Sequence, residues 1–164
     1  MKNLLTIVLS GLVILGLGVS TASAQFMMEN PNVGKAALDF TLPTTTNKAV
    51  NFTEYRGDDK AIIFFWATWC PNCPKHLKAL SEKEQMMLDK GIKVVAIDLG
   101  ESINVVAKYA KRKKVDLDIF VDVDSKLEEP YGLIGVPTFF FVGNDGVIKA
   151  VKHSLPADLD KIFN

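Results

Sequence analysis

The run Ala61-Ile62-Ile63-Phe64-Phe65-Trp66 is apolar at every position, and it stops just short of a Cys70-Pro71-Asn72-Cys73 motif. Such a run has no side left for water, so it reads as a strand covered on both faces, as in a parallel sheet between layers of helix. Beyond the motif, Leu77, Leu80, Met87 and Leu88 recur at helical spacing and predict a helix from Pro71 to about Lys90. The motif therefore sits where a strand hands over to a helix N-terminus. That end concentrates unpaired N–H groups and partial positive charge.

Cys70 and Cys73 are the only cysteines in the chain. A thiolate on Cys70 is stabilised at a helix N-terminus, each unit of pKa depression being worth about 1.4 kcal/mol. Cys73, one turn into the predicted helix, is expected to be less exposed and suited to resolving a mixed disulfide formed at Cys70. Pro71 and Pro74 fall in the expected first turn, where a missing N–H costs little. Two plainer readings compete. Structural zinc needs two further ligands, for which only His76 and His153 are available. An inert disulfide would close so short a loop that it removes little unfolded-state entropy.

Residues 1–24 have the build of a signal peptide. Lys2 supplies a charged end, Leu4 to Val19 is apolar apart from Thr6 and Ser10, and Ala22-Ser23-Ala24 fits a small-residue cleavage site. An uncleaved membrane anchor is the alternative, with a core short for a span. Export places the motif in the periplasm or another extracytoplasmic space, where disulfide chemistry persists. The formal net charge is zero, and losing the leader removes only Lys2, so no nucleic-acid partner is implied. Residues 25–164 suffice for one well-packed domain and are too few for two of ordinary size.

The remaining segments extend an α/β pattern. Leu38–Leu42 and Val50–Phe52 predict a hairpin around Pro43 to Lys48. Ile92–Asp98 is a second apolar strand, giving a strand-helix-strand unit with a parallel pair. Ser102 is placed to cap a helix from Ile103 to about Lys113; Asp118–Val121 predicts a strand, and Ser125–Glu129 a short helix stopped by Pro130. Phe139–Val142, the turn Gly143-Asn144-Asp145-Gly146 and Val147–Val151 spell a second hairpin, and Pro156–Phe163 a closing helix. Lys111-Arg112-Lys113-Lys114 reads as a solvated last turn whose cations complement the helix dipole, rather than as a docking patch. Asp116, Asp118, Asp122 and Asp124 lack the Gly and terminal Glu of a calcium loop and read as strand edges and turns.

Together, Phe65-Trp66-Ala67-Thr68-Trp69-Cys70 with Cys73, Tyr131-Gly132 leading to Val136-Pro137-Thr138, and the Asn144-Asp145-Gly146 turn carry a family likeness. Asp39-Phe40-Thr41-Leu42 and Tyr55-Arg56-Gly57 extend it. From Gly34 to Phe163 the chain resembles the exported thioredoxin-fold proteins of the TlpA/ResA type, within the AhpC/TSA-Redoxin superfamily. The resemblance implies an α/β, thioredoxin-like fold: a central mixed β-sheet flanked by helices, with an N-terminal β-hairpin extension. It also implies a cis peptide bond at Pro137 facing the cysteines, leaving the backbone of Val136 to pair with a substrate strand beside Cys70. Trp69 and Pro71 belong to the same substrate surface, whereas Trp66 belongs to the core.

The implied activity is that of an exported thiol-disulfide oxidoreductase in which Cys70 exchanges and Cys73 resolves. Its partners would be protein thiols and disulfides, cytochrome c precursors among them, and a membrane-embedded electron donor. No cofactor is implied beyond the redox-active disulfide. The Pro-Asn dipeptide matches neither the Gly-Pro of reducing thioredoxins nor the Pro-His of a strong oxidant, while the family likeness favours a reductant. Two departures stand out. Phe64 occupies the place of the buried aspartate of thioredoxins, and His76 the place where TlpA/ResA-type proteins often carry glutamate. An imidazole one turn below Cys73 is placed to accept or return its proton; a solvated helix histidine is the alternative. Other functions compatible with the pattern are a peroxiredoxin-like peroxidase and a Sco-like carrier holding Cu(I) through Cys70, Cys73 and a histidine. The peroxidase's usual Pro and Thr would fall at Trp66 and Cys70.

Overall fold

The computed structural model describes residues 30–163, so the signal peptide or anchor read in residues 1–24 lies outside the described residues. In chain order the elements are β1 (Thr41–Pro43), β2 (Ala49–Asn51), α1 (Phe52–Arg56), β3 (Lys60–Trp66), α2 (Cys73–Asp89) and β4 (Ile92–Leu99). Then come α3 (Ile103–Lys113), β5 (Ile119–Asp122), β6 (Thr138–Val142), β7 (Ile148–Lys152) and α4 (Asp160–Phe163). Five strands form one mixed sheet in the order β5-β4-β3-β6-β7, and β1-β2 form a separate antiparallel ribbon. β3 pairs parallel with β4 and antiparallel with β6, so the apolar run occupies the centre of the sheet.

Alternation sorts the run between two cores. Ile62, Phe64 and Trp66 face a cluster built with α2 and α3, where Leu77, Leu80, Val106 and Tyr109 lie. Ala61, Ile63 and Phe65 face the opposite cluster, closed by Phe40, Leu42 and Phe52 of the N-terminal extension and by Tyr131. Phe64 and Phe139 are directly paired across β3 and β6 and stack at 4.4 Å between ring centroids. Tyr131 packs on Phe65 and Phe140 and donates its hydroxyl to Leu38 O at 3.0 Å. That bond ties the extension to the late loop and gives the buried phenol a partner.

Several boundaries differ from expectation for identifiable reasons. Phe52 starts a helix rather than ending a strand, because Asn51 Oδ1 accepts from Glu54 N while Asp39 accepts from Thr53 N and Oγ1. Those acceptors satisfy first-turn donors, and Gly57 closes the helix at φ +60. Residues 126–132 form consecutive turns, not the short helix expected from Ser125 to Glu129. Asp122, buried at the end of β5, accepts from Lys126 N at 3.0 Å and Leu127 N at 2.9 Å and fixes that path. The closing helix shrinks to α4, whose Phe163 meets Phe141 edge-on at 6.1 Å. Ser102 occupies the N-cap of α3 without a side-chain capping bond. Lys111, Arg112 and Lys113 fill its exposed last turn, two of them over the Tyr109 ring. Asp124 pairs with Lys126 at 2.9 Å.

Replacing Asp122 by Ala strands two backbone donors that a buried carboxylate now satisfies. A loss of about 2–4 kcal/mol follows from the usual cost of unsatisfied buried donors. A lowered urea midpoint with an unchanged denaturant slope would report it, since the slope tracks the area exposed on unfolding.

Candidate active site

The register brings three loops to one edge of the sheet. Trp66, the last residue of β3, lies opposite Asp98 near the end of β4, and Phe65 lies opposite Thr138, the first residue of β6. The motif loop after β3, the loop after β4 and the loop before β6 therefore emerge side by side.

Cys70 and Cys73 are joined as a disulfide. Cys70 is 2% exposed and Cys73 fully buried, so the order of exposure is as expected but the margin is small. Helix α2 starts at Cys73 rather than at Pro71, and residues 71–72 form a turn in which Cys73 N donates to Cys70 O at 3.3 Å. Asn72 stands at the N-cap and makes no side-chain capping bond. Cys70 thus precedes an uncapped helix end, whose dipole favours negative charge. Pro71 is exposed beside it.

Trp69, immediately before Cys70, is 68% exposed, while Trp66 is fully buried. Trp69, Leu99, Leu133 and Val136 line a cavity of about 250 Å³ that also takes in Glu128. The Val136–Pro137 bond is cis. His153 supports this loop from behind: its Nδ1 lies 3.1 Å from Pro137 O and 3.2 Å from Thr138 Oγ1, while that hydroxyl donates to Gly135 O. This fits an imidazole carrying its proton on Nδ1. Among the described residues, no three His, Cys, Asp or Glu side chains are grouped to hold a metal ion.

His76 is buried, not solvated. Its ring lies edge-on to Phe64 at 6.3 Å and to Phe139 at 5.2 Å. Burial, helped by the Lys75 ammonium, pushes the imidazole below its ordinary pKa and favours the neutral form. Phe64 is thus the wall against which His76 rests.

Three residues of the site were not singled out from the sequence. Thr68 donates its N–H and its hydroxyl to the Glu101 carboxylate, both at 2.6 Å, and so ties the motif loop to the loop after β4. Asp98 is fully buried, and neither of its carboxyl oxygens makes a well-formed hydrogen bond. Parity carried the signal for Asp98: it continues the series Ile92, Val94, Ala96 that faces the α2–α3 core. Burial, and then the neighbouring Glu101 side chain, pushes its carboxyl up to about 8.

Residues 33–151 match the model of the AhpC/TSA family. The thiol-disulfide oxidoreductase ResA of Bacillus subtilis is 28% identical over 144 residues, spanning 87% of this chain and 80% of that protein. A crystal structure described as a putative thiol:disulfide interchange protein DsbE from Chlorobium tepidum superimposes with a TM-score of 0.69 at 23% identity, covering 76% of this chain and 87% of the other. The peroxidoxin BcpB of Mycobacterium tuberculosis shares the fold at a TM-score of 0.67 and 22% identity, over 80% and 93% of the two chains. With its mixed five-stranded sheet and its Cys70–Cys73 pair at the start of α2, the chain belongs to the AhpC/TSA family as a ResA-like, thioredoxin-fold thiol-disulfide oxidoreductase.

Proposed function

We propose that the protein is an exported reductant of disulfides in extracytoplasmic proteins, cytochrome c precursors among its candidate substrates. The observation that carries this reading is the charge around the pair. Glu101 and Glu128 lie on the loops about the motif, His76 is held toward neutrality, and no cation makes an ion pair at the motif among the described residues. The end of α2 and the exposed Lys75 in its first turn are the positive features near Cys70, and neither makes an ion pair there. A strong oxidant owes its potential to a stabilised reduced form, so a poorly supported thiolate favours electron donation.

In the reduced protein the Cys70 thiolate attacks one sulfur of a substrate disulfide, and the other sulfur leaves as a thiolate. Cys73 then loses its proton and attacks Cys70 Sγ, releasing the reduced substrate and forming the Cys70–Cys73 disulfide. A dithiol donor in the membrane returns two electrons by the reverse exchange. Trp69, Pro71 and the cavity wall at Val136 receive the substrate segment, whose backbone pairs with Val136 beside Pro137. His76 takes the Cys73 proton and later returns it. Export rests on the composition of residues 1–24; among the described residues no helix is long and apolar enough to cross a membrane.

Equilibration with a thiol buffer should give a reduction potential near thioredoxin's, about −270 mV, whereas a value near −120 mV would reverse the proposed direction. Cys73→Ser should trap mixed disulfides with exported proteins in the native compartment. Its failure to trap any, together with loss of a peroxide-consuming activity on the same substitution, would instead favour a peroxidase. Trp69→Ala should raise KM for protein disulfides about tenfold, the effect of losing about 1.4 kcal/mol of contact, with stability unchanged because the ring is exposed. His76→Ala should slow resolution at neutral pH, toward the roughly 100-fold that general acid–base assistance contributes, and flatten the acid limb of the exchange profile. Superimposable profiles would reduce His76 to packing.

A further inference from the structure

Asp98, next to last in β4, and Glu101, on the loop that follows, bring two carboxyl groups together in unlike surroundings. Glu101 accepts two donors from Thr68 at 2.6 Å, the pattern of an ionised carboxylate. Asp98 is completely shielded from solvent and has no well-formed hydrogen bond, the backbone N–H of Glu101 being the one donor that approaches it. Two carboxylates offer each other only acceptors, whereas a proton on one turns the contact into an O–H···O⁻ bond. Glu101 already has its donors, so the proton belongs on Asp98.

We propose that Asp98, in its neutral form, is the positioning residue that holds Glu101 in place on Thr68 and thereby sets the shape of the Trp66–Cys70 loop for thiol exchange. Ionising Asp98 replaces a hydrogen bond by repulsion between a buried negative charge and the partly buried Glu101 carboxylate, and loosens the Glu101–Thr68 clamp. The neighbours of Asp98 leave few other routes to a pH response. β3 contributes Trp66 and β5 contributes Val121, neither of which titrates. Helix α3 contributes Tyr109, whose hydroxyl also lacks a partner and is pushed above its ordinary pKa, chiefly by burial. Arg112 and Lys113 lie over the Tyr109 ring, and the motif cysteines, joined as a disulfide, titrate only once reduced.

The stability linkage has a definite sign. The folded chain holds the Asp98 proton up to about pH 8, while the unfolded chain releases it near its ordinary value of 3.8. The contribution from this group is therefore complete below about pH 4 and is lost as pH rises toward 8.

The test compares the full chain with Asp98→Asn and Asp98→Ala, following thiol exchange with a small disulfide, tryptophan fluorescence and denaturant stability across pH. Asparagine keeps a donor for Glu101 at every pH. Asp98→Asn should thus retain the neutral-pH exchange rate, remove the alkaline break expected of the parent and abolish the fall in stability on the way to pH 8. Asp98→Ala, which offers no donor, should exchange at the slower alkaline rate throughout, about tenfold down, as expected for losing one charge-assisted hydrogen bond. If Asp98→Asn and the parent superimpose in all three measurements, Asp98 does not position the loop. Infrared spectroscopy of the unsubstituted oxidised protein gives a check that needs no variant: a protonated carboxyl band at neutral pH, lost on alkalinisation, is expected. Its absence would mean that Asp98 is ionised and would overturn the proposal.

Discussion

Burial of β3 on both faces is the constraint from which the rest of the structure follows. Every side chain from Ala61 to Trp66 is inaccessible to solvent, so the strand needs neighbours on both edges and a covering layer on both faces. β4 and β6 supply the edges, α2 and α3 one face, and the N-terminal extension with Tyr131 the other. Tilting β3 would expose aromatic surface, and shifting it by one residue would exchange the two cores. The loop that leaves Trp66 therefore starts from a fixed point, and the cysteines at the head of α2 inherit that position.

The same burial shapes the chemistry. Phe64 puts an aromatic ring where a carboxyl group could have stood, and that ring is the surface on which His76 packs. An imidazole in that setting is driven toward neutrality, since burial penalises its charged form. The carboxyl group that does reach this core enters one strand away, at Asp98, in the position beside Trp66. There it also lacks a well-formed hydrogen bond, and burial favours its neutral form. Negative charge near the motif is thereby confined to the outer loops, where Glu101 is bonded to Thr68 and Glu128 lines the cavity beside Trp69.

Local patterns in the sequence carried the central strand, the parallel unit, the second hairpin and the cysteine pair, because each is encoded by an unbroken run or a fixed short spacing. Elements decided by distant partners were not legible in this way. Helix α1 has only five residues, and Asp39, more than ten positions upstream, supplies an acceptor for its first turn. Residues 126–132 depend on Asp122, whose side chain replaces the hydrogen bonds a helix would have made. The surroundings of His76 depend on Phe64 and Phe139, on two different strands. Asp98 was hidden for a related reason: a carboxylate closing an apolar strand resembles a solvated strand end until the neighbouring strand covers it.

Thr68 and Glu101 show why the site behaves as one unit rather than as three adjacent loops. They stand 33 positions apart and are joined by two charge-assisted bonds, each stronger than a neutral one. The motif loop and the loop after β4 cannot then move independently without breaking both. Trp69 follows Thr68 directly, and Leu99 and Gly100 precede Glu101, so two walls of the cavity beside the motif are carried by the two ends of that contact. Tension on one wall is passed to the other, and Cys70 lies two residues from the knot. Holding a nearly buried disulfide beside an open cavity requires such a tie, because the exposed indole of Trp69 has few contacts of its own to keep the loop in place.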